Sequence, residues 1–276
     1  MDNYMVWDAS RVIFEIPFIG FPVRWYSLLF AGGLVGAYYI LKKMFEAENK
    51  SIEALDALPT YIVFATLIGA RLGHVLFYEP ERYLSNPLEI FKVWQGGLAS
   101  HGGFIAVIIA FILFSKKYKK EFSFFWMVDR AAIAAMFSSG CIRLGNFFNS
   151  EIVGLKTDVP WAVIFKKIDM VPRHPSQLYE AFGYFWLCII FYFLYKKLDR
   201  KVPEGRIFGL ILFLGMSYRL FVEQFKENQA AFEQGMALNM GQILSIPFIV
   251  FGIYFAFCLH HKKKYWSWAL SKEHQS

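Results

Sequence analysis

Seven stretches of the chain are apolar enough and long enough to cross a membrane, and polar or basic stretches separate them. The expected spans are residues 23–41, 58–78, 98–115, 124–145, 177–195, 207–223 and 241–259. Each is close to the ~20 residues that a bilayer core requires. Lipid offers no partner for a bare backbone N–H or C=O, so such stretches become helices. The pattern predicts an all-α integral membrane protein, with residues 1–276 forming a single polytopic membrane domain. Residues 1–21 carry Pro17 and Gly20 among aromatics and read as an interfacial arm. Residues 146–176 are the longest polar excursion and read as a small extracytoplasmic head. The pattern shows no internal repeat and no low-complexity segment.

Composition agrees. Of 276 residues, 57% are hydrophobic and 18% charged, against about 25% charged in soluble domains. The net charge of +7 would suit a nucleic-acid partner, but its distribution gives it another meaning. Segments 42–57, 116–123, 196–206 and 261–276 hold 16 Lys and Arg in 51 residues, and segments 1–21, 79–97, 146–176 and 224–240 hold 8 in 88. The positive-inside bias therefore places the N-terminus outside and the C-terminus in the cytoplasm, and no nucleic-acid partner is expected. Cys141, Cys188 and Cys258 each lie in an apolar stretch, which signals neither a disulfide framework nor a metal site. Residues 1–10 lack the pattern of a cleavable signal peptide.

Against this background the charges inside the spans stand out. The stretch from Arg143 to Gly154 reads R-L-G-N-F-F-N-S-E-I-V-G, with Arg143 at the end of its span and Asn146, Asn149 and Glu151 expected just beyond it. An arginine at the centre of a membrane helix costs about 2.5–3.5 kcal/mol on a translocation scale, so an intramembrane ion is a default functional candidate. The plain alternative is an Arg that snorkels to the interface. Depths follow from the helical rise of 1.5 Å per residue. Arg143 lies roughly 28 Å from the cytoplasmic start of its span, and Arg71 and Arg219 roughly 18 Å from theirs. Tyr26 and His101 begin spans that enter from outside. These groups share the outer half of the bilayer, which a common site would require and scattered structural pairs would not.

Arg143 and Arg219 suit a phosphate, which a guanidinium clasps in bidentate fashion. At headgroup depth they suggest a phospholipid. Arg219 also has an internal option, an i,i+4 pair with Glu223. Arg71 reads either way, and Asp129 with Arg130 reads as structural. His101 sits in S-H-G-G, where two glycines remove side chains beside the imidazole. It is either a structural histidine or a general base suited to neutral pH. Ser176 is a candidate helix cap, and Gln177 and Glu180 share a face that reads as site support. No H-E-x-x-H, C-x-x-C, G-x-S-x-G or Walker-type loop is present. A lipid transporter would also bind headgroups, but it would show internal repeats and polar groups in both leaflets. A structural subunit would not carry so many intramembrane charges.

Five ordered motifs, spread over nearly the whole chain, resemble the bacterial prolipoprotein diacylglyceryl transferase family. They are G-A-R-L-G at 69–73, His101-Gly-Gly, the run from Arg143 to Gly154, R-H-P-S-Q-L-Y-E at 173–180 and R-x-x-x-E at 219–223. Three positions depart from the family pattern. Ile142 stands where Gly is usual, Ser100 where an aromatic is common, and Lys226 where a further arginine is usual. The resemblance implies an enzyme of the bacterial inner membrane whose site faces the outer leaflet. It would move the sn-1,2-diacylglyceryl group of phosphatidylglycerol to the lipobox cysteine of a prolipoprotein, leaving a thioether and glycerol phosphate, with no cofactor and no metal. By similarity, His101, Arg143 and Arg219 are catalytic. Arg143 and Arg219 bind the phospholipid head, and His101 assists thiol deprotonation. Tyr26, Asn146, Glu151, Gly154 and Glu223 shape the substrate site.

Overall fold

A computed structural model describes residues 4–198, 202–228, 233 and 235–258. The basic tail, Leu259 of the seventh span, and Arg200 with Lys201 lie outside the described residues. The protein is mostly helical. Six helices are long and apolar enough to cross a membrane: Trp25–Ala47 (α1), Ile52–Phe77 (α2), Phe124–Asn149 (α5), Ser176–Lys197 (α6), Arg206–Phe225, whose α-helical part is Arg206–Val222 (α7), and Met240–Cys258, whose α-helical part is Met240–Ile253 (α8). Pro80–Ser85 (α3) is a short helix, and residues 98–115, expected as a further span, fold as the helix Ser100–Lys117 (α4), which is not among these six. Large apolar side chains such as Leu34, Phe182, Ile190, Phe193 and Val250 stand exposed on the long helices. That pattern is stable only against lipid.

The helices overrun several expected boundaries, because hydrogen bonding along a helix does not stop where hydropathy falls. Helix α2 begins at Ile52, where Ser51 accepts from Ala54 N as its N-cap. Helix α5 runs to Asn149, so Asn146 and Asn149 belong to its last turn and do not follow it, as the polar pattern had suggested. The proposed Ser176 cap is absent. Pro175 holds the N-cap position without a side-chain bond, and Ser176 Oγ donates to the Ile152 carbonyl at 2.9 Å. A chain carbonyl left open by the turn at Ile152 outcompetes the local cap.

Two compact units divide the chain, Met1–Ile40 with Asp129–Ser276, and Leu41–Val128. In the first, strand Met5–Trp7 (β1) pairs in parallel with Val163–Phe165 (β4), which pairs antiparallel with Pro172–Arg173 (β5). Phe147 and Val153 form a buried cluster with Val163 and Phe165 of β4, and Trp7 and Leu178 pack on it. Val12–Ile16 (β2) and Phe21–Arg24 (β3) form a hairpin, so the arm expected over residues 1–21 contains two short strands and the start of a third. Asp129 receives the backbone N–H groups of Gly205 and Phe208, each at 2.7 Å, and so caps α7 from α5.

In the second unit α2 packs against α4. A Cβ on Gly69 would fall 2.5 Å from the Gly102 carbonyl oxygen, and one on Gly73 2.8 Å from Gly102 Cα. The glycine after His101 therefore admits a neighbouring helix rather than a ligand. Arg71 is buried and donates to the carbonyls of Glu89 (2.6 Å), Ile90 (2.8 Å) and Gly96 (2.6 Å), with its guanidinium over the Tyr83 ring. It fastens the loop after α3, which settles its two readings in favour of structure.

Candidate active site

In the first unit, α5, α6 and α7 bring their polar ends together. Arg143 lies near the end of α5, Glu180 near the start of α6 and Arg219 in the last turn of α7. Consecutive antiparallel helices place these ends at one level. A cavity of about 340 Å³ runs between them. Its walls are mostly apolar, including Ala132, Met136, Ile211 and Gly215, and its polar lining residues are Arg143, Arg219, Tyr184 and Ser139.

Glu180 is the hub of the charges. Its side chain is fully buried, with Oε2 3.0 Å from Arg143 Nε and Oε1 accepting from Lys226 Nζ at 2.9 Å. Lys226 Nζ also donates to Glu223 Oε2 at 3.0 Å. The Arg143 contact is an ion pair and not an aligned hydrogen bond, since Glu180 Oε2 has no hydrogen-bond partner. Of the two options for Arg219, the i,i+4 pair with Glu223 gives way to this chain: Glu223 pairs with Lys226, and Arg219 Nε is buried without a hydrogen-bond partner. Three cations therefore face two carboxylates, and the excess charge is positive beside the cavity.

The stretch after α5 is shaped by its backbone. Ser150 and Ile152 both have φ of 56°, a left-handed conformation uncommon outside glycine and adopted by a β-branched residue such as Ile152 only under constraint. Between them Glu151 turns back to α5, accepting from Asn146 Nδ2 at 3.4 Å and Asn149 Nδ2 at 3.2 Å. Gln177 Nε2 donates to the Glu151 carbonyl at 2.7 Å. Gly154 is buried between two other segments. Its N–H bonds the His174 carbonyl, and Leu155 N bonds the Phe225 carbonyl. A Cβ there would strike both carbonyls. Gly154 thus serves a close approach of chain to chain, and it sets the backbone that carries Lys226. Tyr26, at the start of α1, lies across Gly145, where a Cβ would meet its ring at 2.8 Å.

Arg173 braces the same region. It bonds Asp169 (2.5 Å), Glu227 and the Gly154 carbonyl. Asp169 raises the Arg173 pKa above its ordinary value, and Arg173 holds the Asp169 carboxyl below the usual range. Burial pushes the neighbouring His174 imidazole below its ordinary pKa.

The structure brings Tyr26, Arg143, Asn146, Glu151, Gly154, Arg219 and Glu223 into one unit. His101 belongs to the other, in the first turn of α4, where its exposed ring meets Phe77 (5.5 Å) and Tyr78 (5.8 Å). Sequence reasoning missed Tyr184 and the central place of Glu180. The only available signal was the spacing of Glu180 and Tyr184, one helical turn apart within an otherwise apolar span.

An apolar cleft closed by two guanidiniums is a place for an amphiphile with an anionic head, in a multi-pass membrane protein. Comparison with known proteins gives the family. The family model for prolipoprotein diacylglyceryl transferase matches residues 11–258. The chain is similar to proteins named phosphatidylglycerol--prolipoprotein diacylglyceryl transferase from several bacteria. It is 44% identical to that of Tolumonas auensis over 249 residues, covering 90% of this chain and 95% of the relative. It is 43% identical to that of Chloroherpeton thalassium, covering 92% and 94%, and 43% identical to that of Bacteroides fragilis, covering 95% and 99%. The chain belongs to the prolipoprotein diacylglyceryl transferase family.

Proposed function

We propose that the protein transfers the diacylglyceryl group of phosphatidylglycerol to prolipoproteins, the first step of lipoprotein maturation, and that the cavity between α5 and α7 receives the phospholipid. The observation that carries the placement is the apolar cavity with Arg143 and Arg219 at one end. Acyl chains fit such walls and a phosphate fits such an end. The buried Arg219 Nε without a hydrogen-bond partner supports the reading, because an unsatisfied buried donor is costly unless a ligand or water meets it.

In the reaction, the thiolate of the lipobox cysteine attacks the glycerol carbon that carries the phosphate. The C–S bond forms, the C–O bond breaks, and glycerol phosphate leaves with the bonding electrons. The phosphodiester monoanion becomes a phosphomonoester with more charge, so Arg143 and Arg219 bind the transition state better than the ground state. A thiol of pKa ~8.5 is mostly protonated at neutral pH, and His101 takes its proton. Tyr26, Asn146, Glu151, Gly154 and Glu223 hold the site's shape. The protein is a single polytopic domain of seven spans, α4 included, with residues 146–176 as an extracytoplasmic head. It lies in the bacterial inner membrane, with its N-terminus outside, its C-terminus in the cytoplasm and its site toward the outer leaflet. No nucleic acid is a partner.

The test is transfer of labelled diacylglyceryl from phosphatidylglycerol to a lipobox peptide by the purified protein. Thioether product with wild type and its loss in Arg143→Ala and Arg219→Ala are expected. Wild-type rates in both variants would remove the headgroup from this cavity. The guanidiniums are expected to carry more of the rate than His101, and a preserved rate in Arg143→Ala beside a lost one in His101→Ala would reverse that order.

A further inference from the structure

Glu180 is the only fully buried carboxylate that touches a cavity-lining cation among the described residues, and the reaction as written gives it no chemical role. A carboxylate beside an anion-binding site weakens the binding of an anion, so its presence calls for a reason. The geometry supplies one. A guanidinium has two bidentate edges, one using Nε and one Nη, and the other using both Nη atoms. Glu180 meets Arg143 at Nε. The carboxylate is paired at the Nε edge, so a ligand would meet the edge formed by the two Nη atoms, beside Tyr184, which also interacts with Arg143.

Lys226 explains how Glu180 stays in place. Its ammonium bridges Glu180 Oε1 and Glu223 Oε2 and is itself buried, with a side-chain exposure of 2%. All of its described contacts are to carboxylates. Glu223 is held in turn by α8, since a Cβ on Gly241 would sit 2.5 Å from the Glu223 carboxylate carbon. The charges alternate from Arg143 through Glu180 and Lys226 to Glu223, each one neighboured by its opposite.

We propose that Glu180 is a positioning residue for the transfer reaction: it aims the Nη edge of Arg143 into the cavity, and Lys226 is the counter-ion that holds Glu180, not a ligand for the phosphate. This rests on the placement of the headgroup given above. The proposal separates binding from rate. Glu180→Gln removes a negative charge from beside the cavity, so KM for phosphatidylglycerol stays level or falls. The aim of Arg143 is lost, and kcat falls about 100-fold, the usual effect of a displacement near 1 Å at a reacting centre.

The test is a double-mutant cycle on the full-length protein in detergent, with kcat and KM for phosphatidylglycerol measured for wild type, Arg143→Lys, Glu180→Gln and the double variant. Lysine has no fork to aim, so the double variant is expected to match Arg143→Lys alone. Single-variant losses that multiply in the double variant would show that Glu180 acts independently of Arg143 and would overturn the proposal, as would a rise in KM at unchanged kcat in Glu180→Gln. Arg143→Lys at the wild-type rate would overturn the headgroup placement and this proposal together. An active Glu180→Gln beside an impaired Arg143→Lys would overturn this proposal alone. Should Glu180→Gln fail to fold, Glu180→Asp replaces it in the cycle: it keeps the charge but withdraws the carboxylate by one methylene, and the same coupling is expected.

Discussion

Gly154 offers a sharp test of how the site is built, because its neighbours cannot yield. A methyl group there would meet the His174 carbonyl oxygen, His174 Cβ and, at 2.6 Å, the Phe225 carbonyl oxygen. None of these is the end of a flexible side chain. Gly154→Ala must therefore push apart the segments at His174 and Phe225 by a large fraction of an ångström. The direct overpacking cost is about 1–3 kcal/mol. The larger effect falls on function, since Phe225 precedes Lys226, whose bonds to Glu180 and Glu223 have lengths of 2.9 and 3.0 Å. A shift of this size at a reacting centre costs about 100-fold in rate. The assay is diacylglyceryl transfer to a lipobox peptide, with thermal unfolding in detergent run beside it. Gly32→Ala is the control, because a Cβ at Gly32 meets nothing within 4 Å. A Gly154→Ala protein that keeps both its rate and its unfolding temperature would refute the reasoning.

Other outcomes follow from the same geometry. Ser150 has φ of 56° and a buried hydroxyl without a partner, so Ser150→Gly relieves both and should stabilise by about 1 kcal/mol, read as a raised unfolding temperature; a lowered one would contradict the assignment. Asp129→Ala removes the acceptor for Gly205 N and Phe208 N and should cost about 2 kcal/mol, the upper range for a helix cap; an unchanged unfolding temperature would count against the cap. His174 titrates below its ordinary value in the folded protein, so the unfolded state binds its proton more readily. Its contribution is present above the unfolded pKa and is lost as pH falls through the folded one. Unfolding temperatures of wild type and His174→Gln should converge, or cross, as pH falls from about 7.5 to 5; a gap that widens in favour of wild type would reverse the sign.

The helical segments were legible because their signal is local. A residue run such as 241–259 is apolar whatever surrounds it, and lipid leaves a helix as the answer. Boundaries were less legible, since the polar Asn146 and Asn149 extend α5 where hydropathy alone ends it. Of the site, the sequence offered the residue types and their approximate depths. It did not offer their partners.

Arg219 and Glu223 illustrate the difference. Their spacing allows a pair along one helix, and the folded chain instead sets Lys226 between Glu223 and Glu180. The helix gives way to a 3-10 turn at Glu223–Phe225, and the bridge between Gly154 and Lys226 fixes where that lysine lies. Gly154, which the resemblance assigns to the substrate site, gives in the structure room for two other segments of backbone. The sequence by itself determined the class of protein, the helical segments and the polar residues available to a site, because these depend on composition, periodicity and the solvent. Only the tertiary structure decided which carboxylate holds which cation, because those choices depend on distances between segments far apart in the chain.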